Sequence, residues 1–171
     1  MKLLAVSCWL LVVSAAVCGC SSSYSWRSAV PADARTVTVP TFRNESNVSE
    51  VGALASRQLL REFQREGTFK VRTSGEAAIE VQGVIKSVTP AMSAYNRRAG
   101  GRVAAYDLSA TAEISVIDKR TRKVLVDNRK YVANATFTAG QDRTTAVRDA
   151  SGRLMDDLAR QVGDDILNLK W

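Results

Sequence analysis

The chain of 171 residues has no histidine, and its three cysteines, Cys8, Cys18 and Cys20, all lie at the N-terminal extremity. The first absence removes the usual general base near neutral pH and the commonest metal ligand. The second leaves the body of the chain without a thiol nucleophile or a disulfide. Carboxylates remain, but Asp156-Asp157 and Asp164-Asp165 are neighbours on a helix pattern, so their side chains splay apart by about 100° and read as solvated charges. These absences point away from an enzyme: no catalytic residue, no metal and no cofactor is expected. There is also no internal repeat, and no low-complexity segment follows Ser21-Ser22-Ser23.

What is present begins at the N-terminus. Lys2 precedes an apolar run from Leu3 to Val17, and Gly19 stands immediately before Cys20. That is the layout of a bacterial lipoprotein signal, with a positive n-region, an apolar h-region and a small residue at the cut. Residues 1–19 are expected to be removed and Cys20 to carry the lipid. Residues 20–33 would form a flexible tether, and 34–171 a single domain. An ordinary secretory signal or a short membrane anchor are the other readings. The run of about 15 apolar residues is short of the roughly 20 a spanning helix needs. Acylation would hold the protein stably, since each buried methylene contributes about 0.8 kcal/mol and more than one chain is attached. Serine after the cysteine points to the outer membrane, with the domain on its periplasmic side.

Loss of residues 1–19 removes Lys2 alone among the charges, so 24 basic and 17 acidic residues become 23 and 17, a net +6. A basic domain at this address suits anionic glycolipid, anionic phospholipid or an acidic polymer, and its location argues against nucleic acid. The mature length suffices for one domain with its own core.

Periodicity orders the elements. Thr36–Phe42 alternates and reads as a first strand, with Pro40 near an edge or end. Asn47 is placed to cap a helix with Glu50 at its third position. Val51, Ala55, Leu59 and Phe63 then recur every four residues, Arg57, Arg61 and Arg65 run down the polar side, and Gly67 supplies the stop. Phe69–Arg72 reads as a short strand, and a longer one runs from Ala78 towards Met92. Beyond the basic, glycine-containing turn 96–102, Tyr106, Leu108, Ala110, Ala112, Ile114 and Val116 alternate with Asp107, Ser109, Thr111, Glu113 and Ser115. This is the pattern of an antiparallel sheet covered on one side. The turn 119–123 leads into a strand over Val124–Thr138, and Val147 to Leu169 keep helical spacing. The expected fold is α+β, a two-layer sandwich in the order β-α-β-β-β-β-α. Two helices pack on one face of a mixed or antiparallel sheet of about four to five strands.

Thr38-Val39-Pro40-Thr41-Phe42-Arg43-Asn44, Leu60-Arg61-Glu62-Phe63, the Ala78–Val84 strand and above all Arg97 through Val116 make the chain resemble the LPS-assembly lipoprotein family (LptE-like). The resemblance covers nearly the whole mature chain. It implies a non-catalytic outer-membrane lipoprotein that binds lipopolysaccharide and plugs a large β-barrel of the LptD type. Regulators of cell-wall synthases and secretion accessories begin with a similar strand and helix and form the alternative class. The long hairpin from Ala104 to Thr138 favours the assembly family.

Strand direction sorts the basic clusters. Antiparallel pairing puts the 96–102 turn and the 139–143 loop at one end of the sheet and the 119–123 turn at the other. Arg97, Arg98, Arg102 and Arg143 should therefore converge, with Gln141 nearby. Arginines around Gly100-Gly101 suit phosphate, which guanidinium forks bind bidentately. Solvation of a hairpin tip would also account for them, and more readily still for the 119–123 cluster. The resemblance implies glycolipid contact by basic residues in the first two regions. Arg97 or Arg98 meets the first. At the second the family's lysine position is Gln141 here, with Arg143 the basic residue that could replace it.

Overall fold

The computed structural model describes residues 30–73, 76–96, 102–138 and 143–171. A short 3-10 turn, Ala32–Ala34, leads into β1 (Thr36–Thr38) and β2 (Arg43–Asn44). Helix α1 (Val51–Glu66) and β3 (Lys70–Val71) follow, then three long strands, β4 (Ile79–Asn96), β5 (Arg102–Asp118) and β6 (Lys123–Thr138), and finally α2 (Arg143–Leu167). Among the described residues the sheet has six strands in the order β3-β1-β4-β5-β6, with β2 also paired to β4. β1 runs parallel to β3 and β4, whereas β4, β5 and β6 form an antiparallel meander. The α+β sandwich is as the periodicity implies.

Three local readings change. The expected strand Thr36–Phe42 is interrupted: β1 stops at Thr38, before Pro40, and pairing resumes only at Arg43. Proline removes the amide that would have continued the ladder, so the sheet has one more strand than the pattern suggested. The α1 start differs too. Glu50, not Asn47, is the N-cap, in a left-handed conformation (φ 64°) without a side-chain cap. The nearby amide of Asn44 is engaged instead, donating to the Val48 carbonyl at 2.8 Å, while its carbonyl accepts from the Ser46 N–H. Asn47 is exposed. The third change concerns Asp165, described below. Gly67 ends α1 as expected, at φ 72° with its N–H bonded to the Phe63 carbonyl.

Both helices cover one face. Val51, Ala55, Leu59 and Phe63 of α1 and Ala150, Leu154, Leu158, Val162 and Ile166 of α2 are buried against Ile79, Val81 and Ile85 of β4 and Leu108, Ala110, Ala112, Ile114 and Val116 of β5. Each such Val, Leu, Ile or Phe side chain contributes about 1.5–3 kcal/mol on burial. The helices run in the same direction. Val51 and Leu54 lie across from Val147 and Ser151, and a Cβ on Gly163 would come within 3.1 Å of Glu62 Cγ. The opposite face of β5, from Asp107 to Ser115, has no helix over it among the described residues and is partly exposed.

Candidate functional site

The β4–β5 hairpin carries the first basic cluster. Its register runs from Ile79 opposite Asp118 to Asn96 opposite Arg102, and Ala105 pairs with Thr138 of β6. The end of β4, the start of β5 (Arg102), the end of β6 and the start of α2 (Arg143) therefore share one end of the sheet. Of the residues expected to converge, the backbones of Arg102 and Arg143 are placed at that end, where they open β5 and α2. Arg97, Arg98 and Gln141 lie outside the described residues, as does Cys20. Beneath the turn the hairpin is braced. Tyr106 stacks on Phe137, ring centroids 5.3 Å apart and 18° from coplanar. Thr136 donates to Asp107 Oδ1 at 2.7 Å, and the Arg153 guanidinium of α2 reaches the Thr136 carbonyl at 3.0 Å. Tyr106 thus belongs to the support of the turn, half-buried rather than in the deep core.

At the opposite end the 119–123 turn is partly structural, which a purely solvated cluster would not be. Arg120 donates through Nη2 to Asp118 Oδ2 at 2.8 Å and through Nε to Oδ1 at 3.1 Å, and its Nη1 bonds Asp33. The hydrogen bond from Arg120 holds the buried Asp118 carboxyl below the usual carboxylate range, against the opposing effect of burial. Lys119 pairs with Glu80 at 3.1 Å. Arg122 and Lys123 are exposed. The N-terminal segment enters at this same end, because Asp33 is on the Arg120 clamp and the Val30 carbonyl accepts from Arg35.

Two polar networks had no signal in the sequence, since their members are far apart along the chain. On the open face Lys86 bridges Glu45 at 2.6 Å and Glu113 at 4.0 Å; the Lys86 hydrogen bond lowers the Glu45 pKa. At the β6–α2 contact Asp165 accepts from both Tyr131 and Arg129. Asp165 is therefore not the free surface charge its Asp-Asp context suggested. Burial first, and then the Asp165 carboxylate, raise the Tyr131 pKa and keep the phenol protonated as donor. Asp156 and Asp157 make short-range bonds, to Arg160 at 2.7 Å and Gln161 at 2.9 Å. Among the described residues no group of three metal-ligating side chains forms, and no helix is long and apolar enough to cross a membrane.

A family model, LptE, lipopolysaccharide-assembly, matches residues 34–166. The chain belongs to the LptE family. The matched span runs from the end of the 3-10 turn almost to the end of α2, so it takes in both helices, all six strands and both basic turns. Solved structures of similar fold include a minor lipoprotein from Acinetobacter baumannii, 14% identical with a TM-score of 0.51, over 78% of this chain and 93% of that one. A lipoprotein B from Nitrosomonas europaea is 12% identical with a TM-score of 0.51, over 77% of this chain and 81% of the other. At such identities the likeness is one of fold. No curated protein matches the chain. Membership of the LptE family makes this a lipoprotein of the lipopolysaccharide-assembly type, associated with the transport machinery.

Proposed function

We propose that this LptE-family protein is anchored at the periplasmic side of the outer membrane through Cys20, sits in an LptD-type β-barrel, and receives lipopolysaccharide on the arginine turn. It binds and positions, and makes or breaks no bond. The single observation that carries this reading is the two-ended layout of the domain. The N-terminal segment joins beside the 119–123 turn, and the 96–102 turn lies at the far end of a hairpin whose strand β5 has 17 residues. At about 3.3 Å per residue that separation is roughly 55 Å. The apolar band of an outer-membrane barrel is only about 25 Å tall. A domain tethered at one end and upright in the lumen would thus carry its arginines across the membrane to the level of the outer leaflet.

In this role Arg97, Arg98, Arg102 and Arg143, with Gln141, would meet the phosphates of lipid A or core sugars by forked, charge-assisted hydrogen bonds. The half-wet face of β5, with Asp107, Ser109, Thr111, Glu113 and Ser115, suits a hydrated barrel wall. Detergent extraction of the tagged, lipidated protein from its native membrane, with mass spectrometry of what accompanies it, tests the reading. A stoichiometric large β-barrel is expected. Recovery of a cell-wall synthase, a secretion component or no partner would overturn it.

A further inference from the structure

The two helices part at their N-terminal ends. Between Val48–Leu54 and Val147–Gly152 lies an open groove of about 710 Å³, within the roughly 300–1,000 Å³ of ligand sites in general. Val48, Leu54 and Val147 are only partly buried and form its apolar floor.

Gly152 marks the groove as a built feature. Glycine inside a helix is destabilising relative to alanine unless a neighbour comes too close for a side chain. Gly163 has such a neighbour in Glu62, whereas a Cβ on Gly152 would meet nothing within 4 Å. The missing side chain leaves space in the groove wall that no other packing requires.

Arg57 and Arg148 also line the groove and are exposed. Neither has a polar partner among the described residues. Among the described lining residues Glu50 is the one carboxylate, against the two arginines. An apolar floor beneath two exposed guanidiniums complements an acyl chain that bears an anionic head. The groove also lies at the same end of the sheet as the arginine turn. Val147 and Gly152 are four and nine residues along α2 from Arg143, about 6 and 14 Å at the helical rise.

We infer that this groove is an acyl-chain subsite, holding one chain of the anionic glycolipid whose phosphates meet the arginine turn. The inference rests on the function proposed above, and names the part of the ligand that the turn cannot hold. The test is photo-crosslinking of the full-length lipidated protein in detergent with diazirine-labelled myristate, with adducts mapped by mass spectrometry. Adducts are expected within 48–57 and 147–152, and purified lipid A should displace them while phosphatidylglycerol does not.

Gly152→Leu fills the groove and should cut labelling at least about tenfold, a loss of about 1.4 kcal/mol of binding, without lowering the melting temperature. Arg57→Glu with Arg148→Glu, both surface changes, should weaken labelling by the acid but not by the matching fatty alcohol. Adducts absent from the groove, labelling indifferent to Gly152→Leu in a folded protein, or displacement by phosphatidylglycerol would overturn the inference. Arg97→Glu with Arg98→Glu separates the two proposals. If that variant loses lipopolysaccharide while the groove never labels, the subsite alone fails. If the groove labels and the turn variant binds lipopolysaccharide normally, the turn reading fails.

Discussion

A Cβ placed on Gly83 would stand 2.6 Å from the Phe42 ring, so the chain after β1 is seated directly on the bare backbone of β4. Ile114 closes the same site from β5, at 2.8 Å from that Cβ. Ser56 secures the seat from α1: its hydroxyl accepts the Phe42 N–H at 2.8 Å and donates to the Gly52 carbonyl at 2.9 Å. One aromatic residue thereby locks the loop, the first helix and the centre of the sheet together.

Glycine substitutions should separate by position. Gly83→Ala should destabilise by about 1–3 kcal/mol through overpacking, and Gly52→Ala should also destabilise because its new methyl would clash with the Phe42 carbonyl. Gly152→Ala should instead stabilise by up to about 1 kcal/mol, the helix-propensity gain. Denaturant midpoints of the three variants check this; equal losses in all three would refute the packing described.

Leu154 is fully buried between α2 and the sheet. Leu154→Ala should cost about 2–5 kcal/mol, read as a lower melting temperature. An unchanged melt would mean that α2 does not cover the sheet as described.

The Arg120 clamp should make stability pH-dependent. Asp118 titrates lower when folded than its ordinary value of 3.8, so its contribution is present above that pH. It is lost as pH falls through the folded value. Asp118→Asn should flatten the acid limb of the melting curve. Arg120→Met, which leaves the buried carboxylate without its main partner, should cost about 2 kcal/mol at neutral pH.

Charge reversal should distinguish the two basic turns. Arg97→Glu with Arg98→Glu should weaken lipopolysaccharide binding and leave the melt unchanged. Arg122→Glu with Lys123→Glu, at exposed sites of the opposite turn, should leave binding intact. Equal weakening by both would reduce the effect to net charge.

Cys20→Ser should abolish incorporation of labelled palmitate into the protein, because the proposed acyl chains are carried by the Cys20 thiol. Undiminished incorporation after the change would reject lipidation at Cys20.

The sequence by itself determined the elements whose signal is local. The four-residue stripe from Val51 to Phe63, the alternation from Tyr106 to Val116 and the Gly67 stop each specify an element, because side-chain periodicity must match backbone periodicity for a face to be buried. It also determined the sorting of the basic turns to opposite ends, since consecutive antiparallel strands alternate direction. The cap at Glu50 and the break at Pro40 were less legible. There, Asn44 and the β4 edge, rather than the helix pattern, decide where the backbone groups find partners. Only the tertiary structure decided the pairing of β1 with β4, the Asp33–Arg120–Asp118 clamp, the Tyr131–Asp165 contact and the groove beside Gly152. These join residues tens of positions apart, and a charge or a missing side chain carries no sequence signal of what the fold will place beside it.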